Sequence, residues 1–107
     1  MTYETLSVSL AQNIAIVSLN RPDKANAMNM QMWQEIRAAF EWVDATPEAR
    51  VAVLEAEGKI FTAGIDLQMM MGLGVQIQNP CEGRKREALR SIILNLQDAL
   101  SSLERCR

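Results

Sequence analysis

The sequence predicts an α/β fold. Strand-like and helix-like apolar patterns follow one another as strand, strand, helix, strand, helix, helix. A helical stripe separates the strand-like runs at 14–19 and 51–56, the arrangement of a crossover that should be right-handed if those strands are parallel. A glycine-bearing turn then carries the chain from the third strand into the next helix. The chain has 107 residues, 49% of them apolar, which suits one small domain with a modest core and argues against disorder.

Each element has its own signal. From Thr5 to Leu10, Leu6, Val8 and Leu10 alternate with Thr5, Ser7 and Ser9, the period of a half-buried strand. Ala11-Gln12-Asn13 reads as a tight turn, with Asn13 able to take the left-handed conformation. Ile14 to Leu19 follows as a more buried strand, completing a hairpin. The stretch Asn20 to Ala27 is loop chemistry around Pro22. Asn29 is the candidate cap of a helix whose stripe is Met32, Ile36, Ala39, Phe40 and Val43, ending at Thr46-Pro47. Val51 to Ala56 is the third strand. A short helix is expected over about 65–71 and a mobile loop over about 72–83, marked by Gly72, Gly74 and Asn79-Pro80. From about Arg84 a helix returns, with Leu89, Ile92, Ile93, Leu96, Leu100 and Leu103 on one face.

Composition narrows the function classes. Eleven Lys+Arg against thirteen Asp+Glu give a net charge of −2, which offers no general attraction to nucleic acid or anionic membranes. No apolar run reaches the length of a membrane span. The opening Met1-Thr2-Tyr3-Glu4 lacks a basic segment followed by an apolar one, so no secretion signal is read and a cytoplasmic setting is expected. Cys81 and Cys106 lack metal-like spacing and read as free thiols. There is no histidine, which excludes a Ser-His-Asp or Cys-His nucleophile within these residues. No metal site is expected.

Two segments carry candidate chemistry. In Phe61-Thr62-Ala63-Gly64-Ile65-Asp66-Leu67 the backbone leaves a strand and enters a helix, presenting free N–H groups at the positive end of the helix dipole. That arrangement suits an anion or a carbonyl oxygen gaining charge; it is equally the form of a plain turn. The loop from Arg21 to Ala27 sets Arg21 and Lys24 among small residues, suited to a phosphorylated ligand or simply to solvent. Gly72-Leu73-Gly74 is too short for a phosphate-binding fingerprint and reads as a hinge. Met69, Met70 and Met71 suit adaptable packing, or the wall of an apolar pocket. The charge run 82–87 reads as a solvated helix start, with an anion contact as the other reading.

Taken together, two motifs point further. Ile16-Val17-Ser18-Leu19-Asn20-Arg21-Pro22 with Asn26-Ala27-Met28 resembles the opening of the crotonase (enoyl-CoA hydratase/isomerase) family, and Phe61 to Leu67 resembles that family's first oxyanion-hole turn. The wording of the second motif and the long helix ending Leu103-Glu104-Arg105-Cys106 are most similar to the dienoyl-CoA isomerase branch. The resemblance implies the N-terminal part of a crotonase-like ββα spiral: a single incomplete domain over 1–107, stopping before the second oxyanion segment and the C-terminal helices. It implies an acyl-CoA thioester as partner, with coenzyme A present only as part of the substrate and no other cofactor. It implies that the Ile65 backbone N–H is an oxyanion donor and that Lys24, Ala25, Ala27, Ala63, Gly64, Asp66 and Leu67 lie along the coenzyme A or at the oxyanion turn, with Asp66 structural. None of Glu55, Glu57 and Glu82 matches a family acid or base, so little turnover is expected of this chain alone. It also implies a homo-oligomer. Two rival readings remain at this point: a non-catalytic assembly module that self-associates through helix faces, and a small α/β domain for another nucleotide-bearing anion.

Overall fold

The computed structural model describes residues 2–107. Strand β1 (Leu6–Ala11) and strand β2 (Ile14–Leu19) form an antiparallel hairpin registered from Leu6 opposite Leu19 to Ala11 opposite Ile14. Its two turn residues, Gln12 and Asn13, have φ of 54° and 67°, the mirror-image turn whose twist matches that of the strands. After a single 3₁₀ turn at Pro22–Lys24, helix α1 (Met30–Asp44) crosses to strand β3 (Val51–Ala56). β3 lies parallel to β2, from Ile14 opposite Val51 to Leu19 opposite Ala56. The sheet order is β1-β2-β3, so β1 and β3 are its edges.

The Asn29 carboxamide accepts a hydrogen bond from Met32 N–H at 2.9 Å and caps α1 as expected. All five stripe residues of α1 are buried, and Trp33 joins them. They pack on the sheet face formed by Leu6, Ala15, Val17 and Leu19, the alternate residues that the period-two pattern selects. The opposite face leaves Ile14, Val51 and Val53 exposed.

One expectation is corrected here. Helix α2 runs from Leu67 to Gln76 and continues through Gly72 and Gly74, so the expected loop over about 72–83 narrows to 77–81 before helix α3 (Glu82–Arg105). A glycine weakens a helix by about 1 kcal/mol relative to alanine but does not break its hydrogen-bond ladder, as a proline would. The apolar face of α3 is also mostly open. Ala99 and Ser102 are its buried residues, while Leu89, Ile93, Leu100 and Leu103 are exposed. The cause is length. At about 1.5 Å per residue, α3 is far longer than α1, whose stripe already faces the sheet. The two helices meet along one flank, where the Arg37 guanidinium donates to the Asn95 carbonyl at 2.7 Å and pairs with Asp98 at 3.3 Å. Among the described residues, no helix is long and apolar enough to cross a membrane.

Candidate functional site

The two segments singled out above lie side by side, joined through Asn26. Its side chain is fully buried and its φ of 53° is left-handed, a conformation asparagine tolerates. The carboxamide donates to the carbonyls of Glu57 and Ile60, both at 2.8 Å, and accepts from Arg21 N–H at 2.7 Å. Its own carbonyl accepts from the Thr62 hydroxyl at 2.7 Å, and that hydroxyl in turn accepts from Gly64 N–H at 3.1 Å. One side chain therefore fixes the 3₁₀ loop against the residues that follow β3.

A short parallel bridge pairs Met28 with Ile65. Met28 N–H donates to the Gly64 carbonyl at 2.7 Å, and Asp66 N–H donates to the Met28 carbonyl at 3.0 Å. In a trans peptide the C=O and N–H point in opposite directions. With the Gly64 carbonyl aimed at Met28, the Ile65 N–H of the same peptide unit points the other way. Along 63–66 the amides of Ala63, Gly64 and Asp66 donate to Ala25, Thr62 and Met28; that of Ile65 donates to none of the described residues. Gly64 has φ of 98°, and a Cβ built on it would meet nothing within 4 Å, so the space beside the turn is open.

Asp66 is tied into the fold on two sides. Its side chain accepts from Met69 N–H at 3.0 Å, capping α2, and pairs with Arg21 at 3.2 Å. The Met69 amide, followed by the Arg21 guanidinium, holds its carboxyl below the ordinary aspartate value. Arg21 spans the site, since the same guanidinium nitrogen donates to the Ala27 carbonyl.

Other expected site residues fall nearby with different degrees of freedom. The carbonyls of Lys24, Ala25 and Ala27 each accept an internal hydrogen bond, so their main chain serves first to shape the loop. The Lys24 side chain is exposed, and among the described residues its ammonium makes no ion pair. Ala63 spends its amide on Ala25, while its carbonyl accepts from none of the described residues. Leu67 opens α2 with its side chain 75% exposed. A cavity of about 300 Å³ lies between Pro22, Ala25, Asn26, Glu57 and Ile60, and one of about 460 Å³ lies between Arg21, Met30, Asp66, Met69 and Leu73. A larger cavity, about 510 Å³, sits at the far end of α1 beside Phe40, Arg50 and Arg107 and contains none of the expected site residues.

Sequence reasoning missed the clamp made by Asn26 and Thr62 and the pairing of Arg21 with Asp66. Asn26 had a local sign, an asparagine closing a proline loop. Arg21 and Asp66 had none, because no periodicity links residues so far apart in the chain.

The model of the enoyl-CoA hydratase/isomerase family matches residues 9–102. The human mitochondrial Delta(3,5)-Delta(2,4)-dienoyl-CoA isomerase is 39% identical over 106 residues, covering 98% of this chain and 32% of its own length. The peroxisomal protein of that name from Arabidopsis thaliana is 30% identical, covering 99% of this chain and 40% of its own length. Among solved structures, an enoyl-CoA hydratase from Shewanella pealeana superposes with a TM-score of 0.83 at 26% identity, covering 96% of this chain and 36% of that one. The chain thus spans about a third of the length of these relatives. The two motifs, the fold that brings them together and these similarities agree: the chain belongs to the enoyl-CoA hydratase/isomerase (crotonase) family.

Proposed function

We propose that this chain binds an unsaturated acyl-CoA thioester and polarises its carbonyl through the Ile65 N–H, in the manner of a dienoyl-CoA isomerase. The observation that carries this reading is the unspent amide of Ile65, aimed away from its bridge to Met28 and set beside open space at Gly64. Reactions at the α-carbon of a thioester pass through an enolate-like state, in which charge grows on the carbonyl oxygen. A donor already aimed there stabilises the transition state more than the ground state, and losing one such donor costs about 10²–10³ in rate. The exposed Lys24 ammonium and the free Ala63 carbonyl suit the phosphates and the amino-bearing adenine of coenzyme A.

The reading needs no cofactor beyond the coenzyme A of the substrate. It assigns no general acid or base in these 107 residues, so the chain alone recognises substrate and turns it over little. Replacing the 64–65 amide by an ester removes the donor and keeps the side chain. Isothermal titration should then show weaker binding of a 2,4-dienoyl-CoA, with coenzyme A itself bound as before. Equal loss for both ligands, or for neither, contradicts the assignment.

A second reading, self-association, is favoured by surface. The accessible area is 7142 Å², against about 6000 Å² for a folded monomer of this mass. The excess, roughly 1100 Å², is somewhat more than one side of a standard protein interface, about 800 Å². A homo-oligomer built on the open α3 face accommodates both readings.

A further inference from the structure

We infer that Arg21 is a positioning residue for the Ile65 amide: its guanidinium fixes the orientation in which that N–H meets a thioester carbonyl. The inference rests on the acyl-CoA reading above. The direction of the Ile65 N–H is set by the peptide unit it shares with Gly64, and hence by the bond from Met28 N–H to the Gly64 carbonyl. That bond is only as well placed as the two segments carrying it. Arg21 ties both. The same nitrogen donates to the Ala27 carbonyl, one peptide before Met28, and to Asp66 Oδ2, one residue after Ile65. The guanidinium is largely enclosed, with only 17% of the side chain exposed, so the pair is shielded from screening. Asp66 is held from a second direction by Met69 N–H. Arg21 is held at its own amide by the buried Asn26. The guanidinium is therefore a strut with both ends anchored, and the donor at Ile65 sits on the short span between them. A single cation serving two acceptors in fixed geometry is a task for which arginine is better shaped than lysine.

The test reads the orientation of the amide rather than stability. A 2,4-dienoyl-CoA labelled with ¹³C at the thioester carbonyl is bound at saturation, and its carbonyl stretch is followed by isotope-edited infrared spectroscopy. Hydrogen bonding lowers that frequency. The unaltered chain should show a downward shift relative to the ligand in water. Arg21→Met should lose most of it well below its melting temperature, and Arg21→Lys should recover part. A full shift in Arg21→Met overturns the role of Arg21 and leaves the Ile65 reading standing. No shift in the unaltered chain overturns the Ile65 reading itself, and this inference with it. If circular dichroism shows Arg21→Met unfolded, Asp66→Asn decides. It keeps a good helix cap but removes the charge pair, so a reduced shift supports the strut and a full shift refutes it.

Discussion

Gly58 and Gly64 both take positive φ, 86° and 98°, but their surroundings differ. A Cβ at Gly58 would lie 3.1 Å from the Pro22 side chain, whereas one at Gly64 meets open space. Backbone strain at such positions costs about 1–3 kcal/mol. Gly64→Ala should incur that cost alone, and Gly58→Ala should be the more destabilising of the two; urea titration of both variants ranks them. Glu35 supplies a pH prediction. Partial burial pushes its carboxyl up, but hydrogen bonds from the Thr5 hydroxyl and amide, the Glu4 amide and Gln31 pull it down, and the lowering wins. The unfolded chain therefore binds this proton more tightly than the folded one, as it also does at Asp66. The stability both groups contribute is complete above the ordinary carboxylate range and is lost as pH falls through their lowered values. The protection factor of the Thr5 amide, its exchange rate relative to an unstructured amide at the same pH, should fall on acidification in the unaltered chain. It should already be low at neutral pH in Glu35→Ala, which removes the acceptor. The turn at Gly64 was legible in the sequence because a glycine before a helix is a local sign, while the role proposed for Ile65 came from the family resemblance. Glu35 was not, since nothing in the sequence shows that a carboxylate on an α1 flank meets a segment thirty residues earlier.

At the scale of elements, the strands and α1 were readable because their periods are unmixed. Alternation fixed β1, and the stripe Met32, Ile36, Ala39, Phe40, Val43 fixed the buried face of α1. Removing its cap with Asn29→Ala should cost about 1 kcal/mol in a thermal melt. The extent of α2 was hidden by Gly72 and Gly74, which look like punctuation but lie inside a helix with open space beside both. Because neither position is crowded, Gly72→Ala and Gly74→Ala should each stabilise α2 by about 0.5–1 kcal/mol, through lower entropy in the unfolded chain and better helix propensity. Unchanged melting and unchanged helical circular dichroism would count against a continuous α2. The α3 pattern showed that a helix forms there. It did not show what covers it, because periodicity reports an apolar face and not its neighbour.

The whole molecule is elongated. Its radius of gyration is 15.6 Å, against about 13 Å for a compact chain of this length, and its extents are 54 × 29 × 19 Å. Much of its unburied apolar surface lies on α2, α3 and the open face of the sheet. Light scattering over a concentration series should show association, and Ile93→Glu with Leu100→Glu should weaken it with little change in melting temperature, since both side chains already face solvent. A strictly monomeric chain at every concentration would remove the assembly reading and leave the substrate reading untouched. The open edge at β3 has a consequence of its own. Its outer rim offers an unpaired row of amides and carbonyls, and of its side chains only Glu55 is charged. Long incubation at high concentration should therefore yield stacked fibrils with a repeat of about 4.8 Å along the axis, and Val53→Lys, a gatekeeping charge on that rim, should delay their appearance.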